Sequence, residues 1–243
     1  MNRSIAAICA ALAAATTTTT ATAEDWNFIV SAYAWLPAMA VDATIDRPGG
    51  PVSADVSVSA TDILDAMNFG LFGTAEARRG RFGLFADAFY SDLGVSETGP
   101  LGVRKSVNSN LFMFTGVGAW RLWEDGGAFI DAYGGGRVVS LDSTVTVGAR
   151  SASKSTTYVD PVVGARVGYP ATESLTLNAS ANIGGFGAGS DFTWEAYAGA
   201  NYAFNDRVSA ELGYRYLSID YKSGAKEINM QMFGPFTALV FRF

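Results

Sequence analysis

The chain has 243 residues, with 17 basic and 23 acidic side chains, a net charge of −6, one cysteine and no histidine. The acidic balance argues against nucleic acid, which rewards a basic face. The lone Cys9 excludes a disulfide framework, and past the N-terminus no apolar run reaches the ~20 residues that a membrane-crossing helix needs.

The chain opens as an export leader. Arg3 gives a short positive start, Ile5 to Ala15 a brief apolar stretch, and Ala21-Thr22-Ala23 the small-x-small pattern accepted by signal peptidase. Residues 1–23 are therefore expected to be cleaved, leaving one domain over 24–243 without a linker or a second unit. Cys9 raises a lipoprotein signal as an alternative, but Ile8 precedes it where a small residue is wanted, and Cys9 comes too early. Loss of the leader removes Cys9 and Arg3, leaving 16 basic residues against 23 acidic ones.

Turn-forming clusters divide the rest into ten predicted strands near 26–46, 51–79, 82–95, 101–122, 128–148, 155–169, 174–186, 191–204, 207–222 and 227–243. The first two segments are irregular. Leu36-Pro37 offers a break that would split the first region and give twelve strands, although the pieces would be about eight residues each, short of the 9–11 that cross a membrane. Within 51–79, Thr61 to Met67 reads as a short helix: Ser59 and Asp62 fit a capping pattern, and Ile63, Leu64 and Met67 share one face.

From 155 onward the alternation is cleanest. Phe192, Trp194, Ala196, Ala198, Ala200 and Tyr202 form one parity, and Thr193, Glu195, Tyr197, Gly199 and Asn201 the other. Period two with one wholly apolar face is a half-buried strand. Aromatics at both ends of that face, with small residues between, match the girdles of a strand crossing lipid. Leu175 to Ile183 and Val159 to Val167 repeat the pattern. Arg79-Gly80, Glu124 to Gly127, Pro170 to Glu173 and Asn205-Asp206 are tight turns. They alternate with looser connections at 47–51, 96–100, 148–155, 187–191 and 223–226. Short turns on one side and long loops on the other describe an all-β, antiparallel up-and-down transmembrane barrel. Ten strands are expected, with eight or twelve as alternatives. The short turns would be periplasmic, and the short helix would lie on the extracellular side or in the barrel mouth.

At the C-terminus Leu239, Phe241 and Phe243 alternate with Ala238, Val240 and Arg242, and the sequence ends on the phenylalanine. Here the chain resembles outer-membrane β-barrel proteins of Gram-negative bacteria, in particular a poorly characterised group of small porin-like barrels. The matching stretches are Ala34-Trp35-Leu36-Pro37, Asp62 to Asp65, Phe69-Gly70, Glu76-Ala77-Arg78, Gly83 to Asp87, Asp160 to Arg166 and Gly213 to Leu217. The resemblance covers nearly the whole mature chain. It implies outer-membrane residence, contact with outer-membrane lipid and lipopolysaccharide, and use of Leu239, Phe241 and Phe243 as the signal to the barrel-assembly machinery; it implies no settled activity. Pro235 departs from the pattern, because a missing N–H in a lipid-embedded strand is costly unless a bulge accommodates it.

Without histidine the chain lacks the base of the Ser-His and Asp-His arrangements and the commonest transition-metal ligand, so neither enzyme, metal site nor cofactor is expected. Carboxylate pairs such as Asp131 and Glu195 remain, and a structural role is expected of them. The inward parity should carry Glu76, Arg78, Asp87, Asp131, Arg137, Asp160, Arg166, Glu195, Glu211, Arg215 and Arg242, while the parity of 101–122 is ambiguous. Six acids and five bases in a narrow lumen imply cross-strand ion pairs, which either fill and stiffen the barrel or line a narrow pore for small solutes. Arg104, Lys105, Arg150, Lys154, Lys222 and Lys226 fall near the long loops, where they are expected to face lipopolysaccharide phosphates or water. A surface recognition or adhesion barrel, and a soluble periplasmic barrel holding an apolar ligand, are the alternatives.

Overall fold

The computed structural model describes residues 26–45, 48, 50–98, 104–224 and 226–243; the predicted leader lies outside them. Twelve strand segments occur in chain order: β1 Asn27–Trp35, β2 Ala38–Ile45, β3 Val52–Val58, β4 Met67–Arg79, β5 Phe82–Thr98, β6 Arg104–Asp125, β7 Ala128–Val147, β8 Arg150–Pro170, β9 Leu175–Gly185, β10 Phe192–Ala203, β11 Val208–Ser223 and β12 Lys226–Arg242. A helix, α1 (Ala60–Ala66), separates β3 from β4. Neighbours from β4 to β12 pair antiparallel in sequence order, and β1 pairs with both β4 and β12. The result is a closed ten-strand barrel. Closure is what lipid demands, since an open sheet edge would leave backbone groups without partners.

The β2–β3 hairpin explains how twelve segments make ten staves. β1 meets β12 from Ile29↔Arg242 to Trp35↔Phe236, and β2 continues the same register from Ala38↔Phe233 to Ile45↔Lys226. They are one stave, interrupted at Leu36-Pro37. On its other side that stave changes partner, from β4 (Ala32↔Gly73) to β3 (Met39↔Val58). A seam therefore opens between β3 and the start of β4, and α1 connects the strands on either side of it. The helix has the expected capping box. Ser59 Oγ accepts from the Asp62 N–H, and the Asp62 carboxylate accepts from the Ser59 hydroxyl at 2.6 Å and from the Ser59 N–H, which together hold that carboxyl below its usual range.

No bulge accommodates Pro235. It faces Leu36, whose N–H donates to the Pro235 carbonyl at 3.1 Å, so one bond of that pair is kept and only the return bond is lost. Alternate residues of a strand bond to opposite neighbours. Pro37, one position on, therefore turns its missing N–H towards the seam, between the end of the β4 pairing and the start of the β3 pairing. The two strands come very close here: a Cβ on Gly234 would overlap the Leu36 carbonyl oxygen.

Connections at the end carrying both termini are short, as expected; Gly126 and Gly127, both at positive φ, make the two-residue turn between β6 and β7. The far end departs from expectation. Residues 96–98 belong to β5 and 150–155 to β8, and β7 reaches β8 through Gly148-Ala149 alone. Serine and threonine pairs explain why the 150–155 stretch remains strand: Thr144–Ser153 and Thr146–Ser151, like Ser140–Thr157 below them and Thr44–Ser53 on β2 and β3, join neighbouring strands at 2.7–3.3 Å.

The sheet inverts its polarity at one level. Below it the outward side chains are apolar, bounded by aromatics: Phe82, Tyr202 and Phe241 near the terminal end, and Tyr90, Trp194 and Phe233 above them. On each of those strands the two aromatics are eight residues apart, about 27 Å along the strand or roughly 20 Å of height at the usual tilt, a membrane-sized belt. Trp194, Tyr216 and Phe233 stack in a row along the upper edge. Above it the outward positions become Asp92, Asn108, Asp142, Ser153, Asp220, Asn229, Asp42 and Asp55, while Val95, Val107, Val145, Val41, Val56 and Ile228 turn inward. Lipid surrounds the lower half and water the upper.

Replacing Gly234 with valine is expected to force the β12–β1 contact apart and to cost about 1–3 kcal/mol. Urea titration of heat-modifiable gel migration measures this, and an unchanged midpoint would contradict the close approach.

Candidate functional site

Three layers fill the lumen. Nearest the terminal end, β4, β6, β7 and β8 turn Glu76, Arg78, Arg121, Asp131 and Arg166 inward. Arg166 grips both oxygens of Glu76 at 2.8 and 2.5 Å and reaches Asp131 at 2.9 Å. Arg78 bridges the same two acids, and Arg121 Nε lies 2.5 Å from Asp131. Asp131 is fully buried and accepts from three guanidinium groups. Phe129 lies under Arg121 at 4.3 Å, adding a cation–π contact.

One layer higher the charges cross the barrel. Arg215 on β11 meets Asp87 on β5 and Glu195 on β10, each at 2.8 Å. Tyr33 on β1 donates to Asp87 at 2.7 Å and accepts from Arg215 at 3.2 Å. Arg137 on β7 pairs with Glu195 and donates to Thr115 and Asn182. Strands on opposite walls are tied through one group of charges. Between and below these layers lies a cavity of about 290 Å³, lined also by Asn178, Asn201, Glu211 and Arg242. Tyr197 and Asn178 donate to Glu211, and Arg242 donates to Ser209 and Asn201.

The third layer is apolar. Trp35, Phe89, Leu111, Met113, Val139, Leu217, Ile219 and Met232 are all buried and form one cluster with Tyr33 and Phe236. Trp35 meets Phe89 edge-on and lies over Arg215 at 5.0 Å, which couples this plug to the charges beneath. At the side where β9 and β10 stop short, the 186–191 connection folds in. The Ser190 N–H and hydroxyl both donate to the buried Asp160 at 2.7 Å, and Tyr158 stacks on Tyr221 above it.

All eleven lumen residues expected from the sequence lie on the inner face, but they do not share one network. Asp131 and Glu195, considered as a carboxylate pair, belong to different layers, each neutralised by arginine. Arg121 was missed. Counting it, the inner face of the lower half carries six arginines (78, 121, 137, 166, 215, 242) and six acids (76, 87, 131, 160, 195, 211), so the lumen charge balances. Its signal was present in Trp120-Arg121-Leu122, where an arginine between two lipid-facing side chains must turn inward. The apolar plug was missed too, because Leu111, Met113 and Val117 face inward on the same strand that turns Phe112 and Phe114 outward.

Of the cations expected at the outer surface, Arg150 and Lys154 are on the inner face of β8. Lys222 faces out and pairs with Glu227, which raises its pKa. Arg104 and Lys105 open β6 and Lys226 opens β12; their side chains lie outside the described residues. Leu239 and Phe241 face lipid, and Phe243 exchanges backbone hydrogen bonds with Phe28 at 2.9 and 3.3 Å, fastening the last residue to the first strand. Among the described residues no group of three side chains is placed to hold a metal ion.

Replacing Arg166 with methionine should leave Glu76 and Asp131 under-neutralised and cost about 3–5 kcal/mol, because a buried charge deprived of its partner is strongly destabilising. Adding Glu76→Gln should recover part of that loss. Urea unfolding in lipid vesicles reads both variants, and equal stability of wild type and single variant would refute the lattice.

No protein-family model and no curated protein matches the sequence. Solved structures do. The chain is similar to the outer membrane protease OmpT from Escherichia coli, with a TM-score of 0.65 at 10% identity, covering 94% of this chain and all of that one. The translocator domain of autotransporter NalP from Neisseria meningitidis follows, with a TM-score of 0.41 at 12% identity, covering 97% of this chain and 93% of that one. The fold is that of the bacterial outer-membrane β-barrels.

Proposed function

We propose that the protein is an integral barrel of the bacterial outer membrane whose lumen is sealed, and that it serves the membrane as a non-catalytic structural element rather than as a solute channel. The observation that carries this reading is the plug. Ten inward side chains, from Trp35 at 0% exposure to Phe236 at 9%, close the lumen at the upper edge of the lipid belt. Small barrels of this strand number have interiors that their own side chains can fill, whereas open aqueous channels belong to barrels of about 16 strands. Beneath the plug the Arg215–Asp87 pair, from β11 to β5, and the Arg137–Glu195 pair, from β7 to β10, cross the remaining section. The short-turn end carrying Phe243 faces the periplasm in this reading, and the polar upper half projects outside the cell.

Reconstituted into planar bilayers, the protein is expected to give no discrete conductance steps above the bare membrane. Liposomes containing it should not swell in small sugars. Reproducible steps from the wild-type protein would refute the sealed reading and restore the narrow pore.

A further inference from the structure

The polarity inversion leaves a surface that neither lipid nor protein covers. Above the belt the outer face is polar, so the membrane does not reach it, yet the inward side chains are aliphatic. Val56 is 54% exposed, Val95 51%, Val107 48% and Val145 47%, although all point into the barrel mouth. Two facing walls contribute them, the β2–β3 hairpin on one side and β5, β6 and β7 on the other. Apolar side chains gathered at a concave mouth and left uncovered mark a binding surface rather than a core. The floor beneath them is the plug.

Charge selects the occupant. On the upper strands the acids Asp42, Asp55, Asp92, Asp142 and Asp220 face outward, by register with their neighbours. The cations Lys154 and Arg150 face inward, opposite Ser143 and Val147. Lys154 pairs with Ser143, two residues from Val145, so a head group held at Lys154 places an alkyl tail beside Val145 and its partner Val107. The acidic outer rim repels the phosphates of surrounding lipopolysaccharide, and α1 occupies the connection across the seam, so access is from the aqueous side.

We infer that the extracellular mouth is a binding site for a free single-chain anionic amphiphile, such as a medium-chain carboxylate. The tail lies against Val56, Val107 and Val145, and the head is held by Lys154. This site does not require passage through the lumen, and it stands whether or not the plug is sealed.

Isothermal titration of the barrel in lipid nanodiscs with dodecanoate tests the inference, with empty nanodiscs as the baseline. One saturable site per barrel is expected. Lys154→Glu should weaken dodecanoate about tenfold and leave dodecanol unchanged. The double variant Val107→Asp, Val145→Asp should abolish binding of both, while Thr144→Asp, on the outer face of the same strand, should not; heat-modifiable migration confirms that each variant is folded. If the double variant fails to fold, Val107→Ser alone replaces it, with a weakening of both probes expected. Titration indistinguishable from empty nanodiscs overturns the site, as does binding unaffected by the inner-face changes. Dodecanoate binding unaffected by Lys154→Glu overturns the assignment of the head group.

Discussion

A sheet crossing lipid is not allowed a free edge, and the rest of this structure follows from that. Each backbone N–H and C=O in the belt needs a partner within the protein, so the last strand must find the first. It does so over the whole height of the belt, and Phe243 is fastened to Phe28 at the bottom. The sheet loosens on approach to the upper aromatic level, where the β1–β4 pairing ends at Ala32↔Gly73. There the first stave leaves β4 for β3, water can satisfy exposed groups, and a proline can turn its missing N–H into the seam. Pro37 and Pro235 thus mark the place where the constraint relaxes.

Closure creates an interior, and the interior has to be filled without cost. In the lower half the solution is ionic: six carboxylates and six arginines, with the two central networks spanning strands far apart around the wall. An arginine remains protonated under any condition relevant here, so these pairs behave as fixed cross-links rather than as proton carriers. Desolvation of so many charges offsets much of their attraction, which makes the lattice a device for fixing strand positions more than a source of net stability. Higher up, water rather than lipid lies outside, and the interior becomes apolar. The same sheet obeys two opposite rules, with the crossover at Tyr90, Trp194, Tyr216 and Phe233.

That crossover explains what could be read from the sequence. The alternation on β9, β10 and the lower half of β8 was plain because those stretches lie within the belt, with lipid on one side and charge on the other. The capping box of α1 was legible because it is local. On β6 the parity could not be read, since 22 residues run through both halves, and apolar side chains occupy first one face and then the other, with a bulge between Arg121 and Trp123 shifting the phase again. The polar stretches near 96–98 and 150–155 resemble loops in sequence because polarity commonly accompanies irregular backbone. In water above a membrane, serine hydroxyls such as those of Ser151 and Ser153 bond to threonines of the neighbouring strand and hold a polar stretch in the sheet. The inversion itself is a relation between strands, visible only when their registers are known.

The closing ladder has a kinetic meaning as well. Apart from the ladder that β12 makes with β1 and β2, the pairings within the barrel join strands closer along the chain, most of them linked by turns of a few residues, whereas Ile29↔Arg242 joins positions more than two hundred apart. Contacts of such long range are slow to form, because chain entropy must be given up before they contribute. Hairpins from β4 to β12 are able to assemble in sequence, but β1 stays without its second neighbour until the final strand arrives. The rate of barrel formation should therefore be set at that single junction, where Gly234 has no side chain to obstruct the meeting of the two ends.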